Sequence, residues 1–241
     1  VWEANMTTAG TPKGKLDPIA KWSLIIGPIL VVIFNFLSPV NGIEPIDPED
    51  SGKFITALGT DAGIAQVYAI IVLLGIILYT RGVIGLWHIA PDGTSRYRMT
   101  IGVLGSVAAL SLWAMVIAAS LAEISIAEKM TTAAAAGAAE QAGVLGNIAG
   151  TIHAVLFGIY QTATYVAYIS LIPLGGGLAI SGIVRKEFGW AIMLIGLVTV
   201  ILASVFPVKT EEGYMIFGIM AVIWGITFLA TALQIARQDM D

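Results

Sequence analysis

The segment GTIHAVLFGIYQTATYVAYISLIPLGGGLAISGIVR, residues 150–185, decides the fold class of this chain. No Asp, Glu, Lys or Arg precedes its final arginine, and a membrane-spanning helix needs only about 20 apolar residues. At about 100° per residue, one narrow stripe of such a helix carries most of the polar side chains. The stripe consists of His153, Tyr160, Gln161, Thr164 and Tyr168. We therefore expect a membrane helix that faces lipid on one side and protein on the other.

The composition of the whole chain supports a membrane protein. Hydrophobic residues make up 57% and charged residues 12% of the sequence, whereas soluble domains carry about 25% charged residues. The net charge of −4 and the pI of about 5.1 argue against nucleic-acid binding. Cysteine is absent, which excludes disulfides, thiolate metal sites and cysteine catalysis.

Hydropathy along the chain predicts an all-α, polytopic bundle of six transmembrane helices. The predicted spans are residues 19–40, 63–88, 99–122, 148–183, 188–206 and 213–236. They form one membrane domain, residues 19–237, between a cytoplasmic N-terminal tail (1–18) and a C-terminal tail (238–241). Residues 54–58 are expected to form a short interfacial helix. The alanine-rich segment 123–147 is expected to be helical and extracytoplasmic, because alanine favours helix and large apolar side chains are few.

The distribution of basic residues predicts the orientation of the bundle. Nine of the twelve Lys and Arg residues fall on the side of the N-terminus, so the positive-inside rule places both termini in the cytoplasm. Arg81, Arg96 and Arg98 lie on that side. We expect them to reach lipid headgroups, and anionic lipids are candidate ligands.

Small residues predict close helix contacts. Gly102 with Ser106, and Gly105 with Ala109, form two overlapping small-xxx-small pairs in the third span. The run Gly175–Gly177 marks either a weak point or another site of close packing. Such faces favour self-association or contact with other integral membrane subunits.

His153 is a candidate metal ligand, because neutral imidazole binds several transition metals. One histidine is not a site, and Glu123, Glu128 or Glu140 would have to complete it. The alternative is a hydrogen bond between helices near the outer surface.

The polar stripe has two interpretations. Tyr160, Gln161, Thr164 and Tyr168 could line a cavity for a quinone, a lipid or a small solute, or they could hold helices together through hydrogen bonds. The spans show no mid-depth carboxylate of the kind that ion-coupled carriers use. Motifs of hydrolases, metalloproteases and nucleotide-binding loops are also missing from the sequence, so neither an enzyme nor a cofactor is predicted.

Two segments resemble parts of a known family. IIGPILVVIF (25–34) is a proline-bearing first helix, and an outer loop then leads into a long second helix that ends in arginine and tryptophan. FGIYQTATYVAYISLIPLGGGLAISGIVRKEFGWAIMLIGLVTVI (157–201) combines a long helix, a basic hairpin and a glycine-tryptophan re-entry. This order resembles a broad family of six-helix bacterial and archaeal membrane proteins of unknown function. It implies a multi-pass protein of a prokaryotic cytoplasmic membrane, and no functional residue carries over.

These observations lead to three hypotheses about function. The first is a non-catalytic accessory or scaffold subunit of a larger membrane complex. The second is a carrier or binding protein for a small neutral or lipophilic molecule, which would use the polar stripe. The third is a metal site at His153.

Overall fold

Seven helices and no strand make up the part of the chain that the computed structural model describes, residues 12–41 and 45–238, with only the backbone of Gln238. They are α1 (Pro18–Phe36), α2 (Ser51–Thr60), α3 (Ala62–His88), α4 (Thr94–Ala135), α5 (Ala139–Ala179), α6 (Lys186–Val205) and α7 (Glu211–Gln238). Six of these, all but α2, are long and apolar enough to cross a membrane. The chain is thus an all-helical, multi-pass membrane protein. Residues 1–11, 42–44 and 239–241, which include most of both predicted tails, lie outside the described residues.

Helix α1 ends earlier than the sequence pattern suggested. Its last residue is Phe36, and residues 37–41 form a turn. Proline disfavours the helical conformation of the residue before it, so Pro39 accounts for this early end. The side chain of Asn41 donates a 2.9 Å hydrogen bond to the carbonyl of Asn35, which also accepts a longer bond of 3.3 Å from the N–H of Ser38.

Helix α4, with 42 residues, is much longer than the predicted span 99–122. Helix α5, with 41 residues, begins nine residues before the predicted span 148–183 and ends four residues before the end of that span. At about 1.5 Å per residue, each is about 60 Å long, roughly twice the thickness of the hydrocarbon core. The turn between them contains Gly137 with φ +75°, a conformation that glycine adopts without strain. The segment 123–147 is therefore not a separate element. It consists of the end of α4, this turn and the start of α5, and we call residues 124–151 the hairpin.

Small residues bring the long helices into close contact, as predicted. A Cβ atom on Gly102 would lie 2.8 Å from the backbone nitrogen of Leu174, and the hydroxyls of Ser106 and Ser170 are 3.3 Å apart. A Cβ atom on Gly177 would lie 2.9 Å from a backbone oxygen of α4. The glycine run is thus a site of close packing, and α5 remains helical through Pro173.

The antiparallel pairing of α4 with α5 defines two ends of the bundle. The basic end contains the starts of α1 and α4 together with Arg81, Arg96 and Arg98. The far end contains α2, residues 45–50 and the hairpin, because a Cβ atom on Gly59 of α2 would touch the backbone of Ala127. Along α4, Glu123 lies 25 residues beyond Arg98, which corresponds to about 37 Å.

Candidate functional site

Three residues of the predicted polar stripe line one cavity in the middle of the bundle. Tyr160, Thr164 and Tyr168 contribute to this space of about 110 Å³, which we call the central cavity. On α4 its walls run from Ser106 to Trp113, about 12 to 22 Å along the helix from Arg98. The central cavity therefore lies near mid-depth of the spanning region.

Aromatic rings form much of the wall of the central cavity. They are Tyr79, Trp113, Tyr160, Tyr168, Phe217 and Trp224. Its other lining residues are aliphatic, small or neutral polar, and no Asp, Glu, Lys, Arg or His is among them. An environment of this kind suits an uncharged molecule.

Two buried hydroxyl groups of the central cavity have no hydrogen-bond partner within the described part of the chain, those of Tyr79 and Thr164. The two residues are 8% and 1% exposed. Thr199, also buried in a helix, bonds to a carbonyl of the preceding turn at 2.7 Å, whereas Thr164 does not. The side chains of Trp224 and Ser106 are both near the Tyr79 hydroxyl, but neither has the distance and angle of a hydrogen bond to it, and the Ser106 hydroxyl is directed to the Gly102 carbonyl and to another serine.

Gln161 does not line the central cavity, although it belongs to the same predicted stripe. Its side-chain amide donates to the carbonyl of Ala203 at 3.2 Å and accepts from the N–H of Val208 at 2.7 Å. The hydroxyl of Tyr165 also donates to Ala203, at 3.0 Å. These bonds satisfy backbone groups at the end of α6 (Lys186–Val205) and hold α5 to it. For Gln161, the interpretation as a polar link between helices fits the geometry.

His153 forms a buried pair with Glu123 at the far end. Its Nδ1 lies 2.7 Å from the Glu123 Oε1, and its Nε2 lies 2.9 Å from the carbonyl oxygen of Pro48. His153 is 6% and Glu123 1% exposed. The rings of Phe54 and Phe157 pack around the imidazole, with centroid distances of 4.9 and 4.7 Å. The sequence suggested Glu123 as a possible partner, but Pro48 gave no sign of its role.

This arrangement does not provide the ligand set of a metal site. Both imidazole nitrogens face oxygen atoms, and no group of three or more His, Cys, Asp or Glu residues lies close enough together in the described ranges. Glu128 and Glu140, the other predicted partners, are exposed. The pair fits the alternative expectation of a hydrogen bond between helices.

A second cavity, of about 100 Å³, lies between the pair and the central cavity, and we call it the far cavity. Glu123 is one of its lining residues. Asn35, Val72, Trp113 and Tyr160 line both cavities. The far cavity, beside the buried pair, and the central cavity, with its two unpartnered hydroxyls, therefore share four lining side chains.

The three arginines predicted to contact lipid headgroups do not converge on one site. Arg81 bonds to Asp17 at 3.0 Å. Arg96 donates to a backbone carbonyl and lies 4.8 Å from the ring centre of Trp87. Arg98 is exposed as a residue, although a Cβ atom on Gly176 of α5 would lie 3.5 Å from its Nη1, and it is the one of the three with no hydrogen bond within residues 12–41 and 45–238.

Two aspartates at the basic end have lowered pKa values. For Asp17, the main cause is a hydrogen bond from the backbone N–H of Ala20, and Arg81 adds to it. For Asp92, the pKa is lowered mainly by the hydrogen bond from Lys13 at 2.6 Å. The Asp17–Arg81 contact joins the chain before α1 to α3, and the Lys13–Asp92 contact joins it to the region between α3 and α4.

No family model, curated protein or solved structure matches this chain. The resemblance to the broad six-helix family therefore stays a prediction from sequence pattern, and the function has to be argued from the geometry.

Proposed function

We propose that this protein is a membrane-embedded binding protein or carrier for a small, uncharged, lipophilic molecule, which it holds in the central cavity. The observation that carries the proposal is the pair of unpartnered hydroxyls, Tyr79 and Thr164, on the wall of a mid-depth cavity. A buried hydroxyl without a partner costs about 1–3 kcal/mol. A ligand oxygen or N–H between the two would offset that cost.

The walls of the central cavity narrow the chemistry of the ligand. A charged molecule would find no counter-ion there, and transfer of an unpaired charge to such a place is very unfavourable. Aromatic rings favour a planar or hydrophobic body. The two hydroxyls call for one or two polar atoms. A quinone headgroup or a sterol-like alcohol combines these features, as does a small neutral solute.

The proposed setting is the cytoplasmic membrane of a prokaryote, with both termini in the cytoplasm. The support is the excess of basic residues at the basic end, which the positive-inside rule assigns to the cytoplasm. In that orientation the far end, with the hairpin, is extracytoplasmic, and the ligand would enter from the lipid or from that side.

A binding experiment tests the proposal. Trp113 and Trp224 line the central cavity, so a short-chain benzoquinone bound there should quench tryptophan fluorescence in a saturable way. Mass spectrometry of protein extracted gently from its native membrane would identify a co-purified molecule. Thr164→Val should weaken binding of the benzoquinone about 5–10-fold, because one hydrogen bond is lost.

The matched control is Thr162→Val on the same helix. Thr162 is exposed, and its hydroxyl bonds to the Gly158 carbonyl at 3.1 Å, so this change should leave binding unaltered. Unchanged binding in both Thr164→Val and Tyr79→Phe, or the absence of any saturable ligand, would count against the proposal and leave water as the occupant.

An accessory or scaffold subunit is the second proposal, and the hairpin favours it. Helix α4 continues 12 residues past Glu123, about 18 Å. Val144 and Ile148, on the α5 side of the hairpin, are 56% and 45% exposed. Apolar side chains exposed beyond the span suit a partner. Native purification tests this, because Val144→Lys with Ile148→Lys should release a partner that the wild type retains.

A further inference from the structure

We propose that the Glu123–His153 pair is a proton-binding site at the far cavity, and that its bound proton holds residues 45–50 and α2 in place. This inference does not depend on a ligand in the central cavity. It rests on the two hydrogen bonds of His153 and on what each partner can donate.

The partners of His153 fix how many protons the pair holds. The carbonyl of Pro48 can only accept, so the Nε2 of His153 must carry a hydrogen to bond to it. The 2.7 Å contact between Nδ1 and Glu123 then requires one more proton, which sits either on the imidazole or on the carboxyl. In both forms the pair is neutral overall. The burial of the pair favours these neutral forms, since a net charge at a buried place would be costly.

Loss of that one proton breaks one of the two contacts. A neutral imidazole has a single N–H, whereas ionised Glu123 and the Pro48 carbonyl both require a donor. If the single N–H is on Nε2 and still bonds to the Pro48 carbonyl, the Nδ1 lone pair faces the Glu123 carboxylate. If it turns to Glu123, the Nε2 lone pair faces the carbonyl. Because a carboxylate is a stronger acceptor than a neutral carbonyl, the remaining N–H goes to Glu123, and proton release frees the segment around Pro48.

The segment that contains Pro48 is closely linked to α2. Asp50 caps α2 by accepting from the N–H of Lys53 at 3.1 Å, and the Phe54 ring packs on the imidazole. Phe54 also lines the far cavity. A change at the Pro48 contact should therefore be transmitted to the first turn of α2 and to the opening of the far cavity.

Glu123 has a route for proton exchange. Only its Oε1 is hydrogen-bonded within the described residues, and the side chain lines the far cavity. Water in that space would reach the carboxylate. The serine and asparagine side chains of the lining, which are Asn35, Ser38, Asn41 and Ser120, are suitable partners for such water.

Among the residues that the structure describes, Glu123 is the only charged side chain that lines the far cavity. Tyr214 of α7 and Tyr160 of α5 are the titratable side chains that line the far cavity beside Glu123, and the Tyr214 hydroxyl donates to the Asn41 side chain. The charged residues of the surrounding elements are at least partly exposed. They are Asp47, Glu49, Asp50, Lys53, Asp61, Glu128, Lys129, Glu140, Glu211 and Glu212.

The composition of the chain permits a direct test. The only other histidine is His88, which is exposed, so His88→Gln leaves His153 as the single imidazole. Nitrogen NMR of the ¹⁵N-histidine-labelled variant, recorded against pH, reports both ring nitrogens. We expect one titration step at the pair as the pH rises. With that step, the protection of residues 49–54 against hydrogen exchange, corrected for the intrinsic pH dependence of exchange, should fall about tenfold, the effect of one lost hydrogen bond.

Glu123→Gln separates this proposal from a purely structural role. The glutamine amide can donate to Nδ1 while the Nε2–H still bonds to the Pro48 carbonyl. Both contacts therefore persist without the titratable proton that the imidazole and the carboxyl share. The protection of residues 49–54, corrected for the intrinsic pH dependence of exchange, should then no longer change through that step. Glu128→Gln, which changes an exposed carboxylate on the same helix, should behave as wild type. A His153 that never titrates in the folded protein, or an unaltered pH dependence in Glu123→Gln, would overturn the inference.

Discussion

The far end and the centre of the bundle treat buried polar groups in opposite ways. At the far end, both nitrogens of His153 face an oxygen, although the pair is almost fully buried. At the centre, the hydroxyls of Tyr79 and Thr164 are equally inaccessible and have no partner among the described residues. Both regions lie along the same face of α5, separated by about three helical turns.

The difference indicates which region is complete on its own. A fully bonded buried pair stabilises one arrangement of the chain and changes only when its proton count changes. Unpartnered groups beside a cavity are costly unless something else occupies the space. We therefore assign structure and proton binding to the far end, and ligand binding to the centre. Four substitutions or conditions test this contrast.

The largest effect is expected from His153→Leu. This change leaves the Glu123 carboxyl buried with no partner, and removal of one member of a buried pair typically costs about 3–5 kcal/mol. Thermal or denaturant unfolding in detergent measures the loss. The double change Glu123→Leu with His153→Leu should recover much of it, because no ionisable group is left buried without its partner, although the Pro48 carbonyl lacks its donor in both variants.

That recovery is the control for the first prediction. If the double variant is as unstable as the sum of the two single variants, then packing around Phe54 and Phe157, rather than the pair, accounts for the stability of the far end.

The second effect concerns Gln161, which connects α5 to the end of α6. Gln161→Leu should destabilise the protein by about 1–3 kcal/mol, since the Val208 N–H loses its partner and the Ala203 carbonyl keeps only Tyr165. Ligand binding in the central cavity should be unchanged, because Gln161 is not in its wall. A loss of ligand binding without a loss of stability would instead mean that Gln161 contributes to the binding site.

Gln161 also shows how far the sequence alone could lead. Six apolar stretches were enough to predict six spans, because the period and length of a hydrophobic run depend on local sequence. The sequence of one helix does not determine which polar residues of its stripe line a cavity. That depends on how the neighbouring helices pack against it, and these are remote in sequence. Tyr79 lies on another span and lines the same cavity as Thr164 only through the packing of the helices, so the stripe could not reveal it.

The lengths of α4 and α5 were underestimated for a related reason. Hydropathy marks the part of a helix that lipid surrounds, but the alanine-rich continuation is helical without being apolar enough to span. Glu123 falls at the junction of the two parts. Its partner His153 was noted for its chemistry, whereas Pro48 takes part only through its backbone carbonyl, which any residue would supply.

The third effect has the opposite sign. Thr164→Val should stabilise the ligand-free protein by about 1 kcal/mol, because an unpartnered hydroxyl is replaced by a methyl group of similar size. Under the binding proposal, the same variant loses affinity for the benzoquinone. Paired melting curves with and without that compound measure both changes. A Thr164→Val protein that is less stable than wild type would mean that the hydroxyl is already bonded, for example to a fixed water molecule.

The smallest effect is expected at the basic end, where the charged pairs are exposed. The pKa values of Asp17 and Asp92 are lowered in the folded protein. Each carboxylate therefore stabilises the fold at pH values above 3.8, the ordinary pKa of the group. This stabilisation is lost as the pH falls through the lowered pKa. Salt should weaken both pairs, since exposed charges are screened. Melting temperature against pH, at low and high salt, in wild type and in Asp92→Asn, measures this contribution. The buried pair at the far end should respond to pH but hardly to salt. A far-end transition as sensitive to salt as the one at Asp92 would mean that the pair is open to solvent, and the contrast between the two kinds of charged contact would fail.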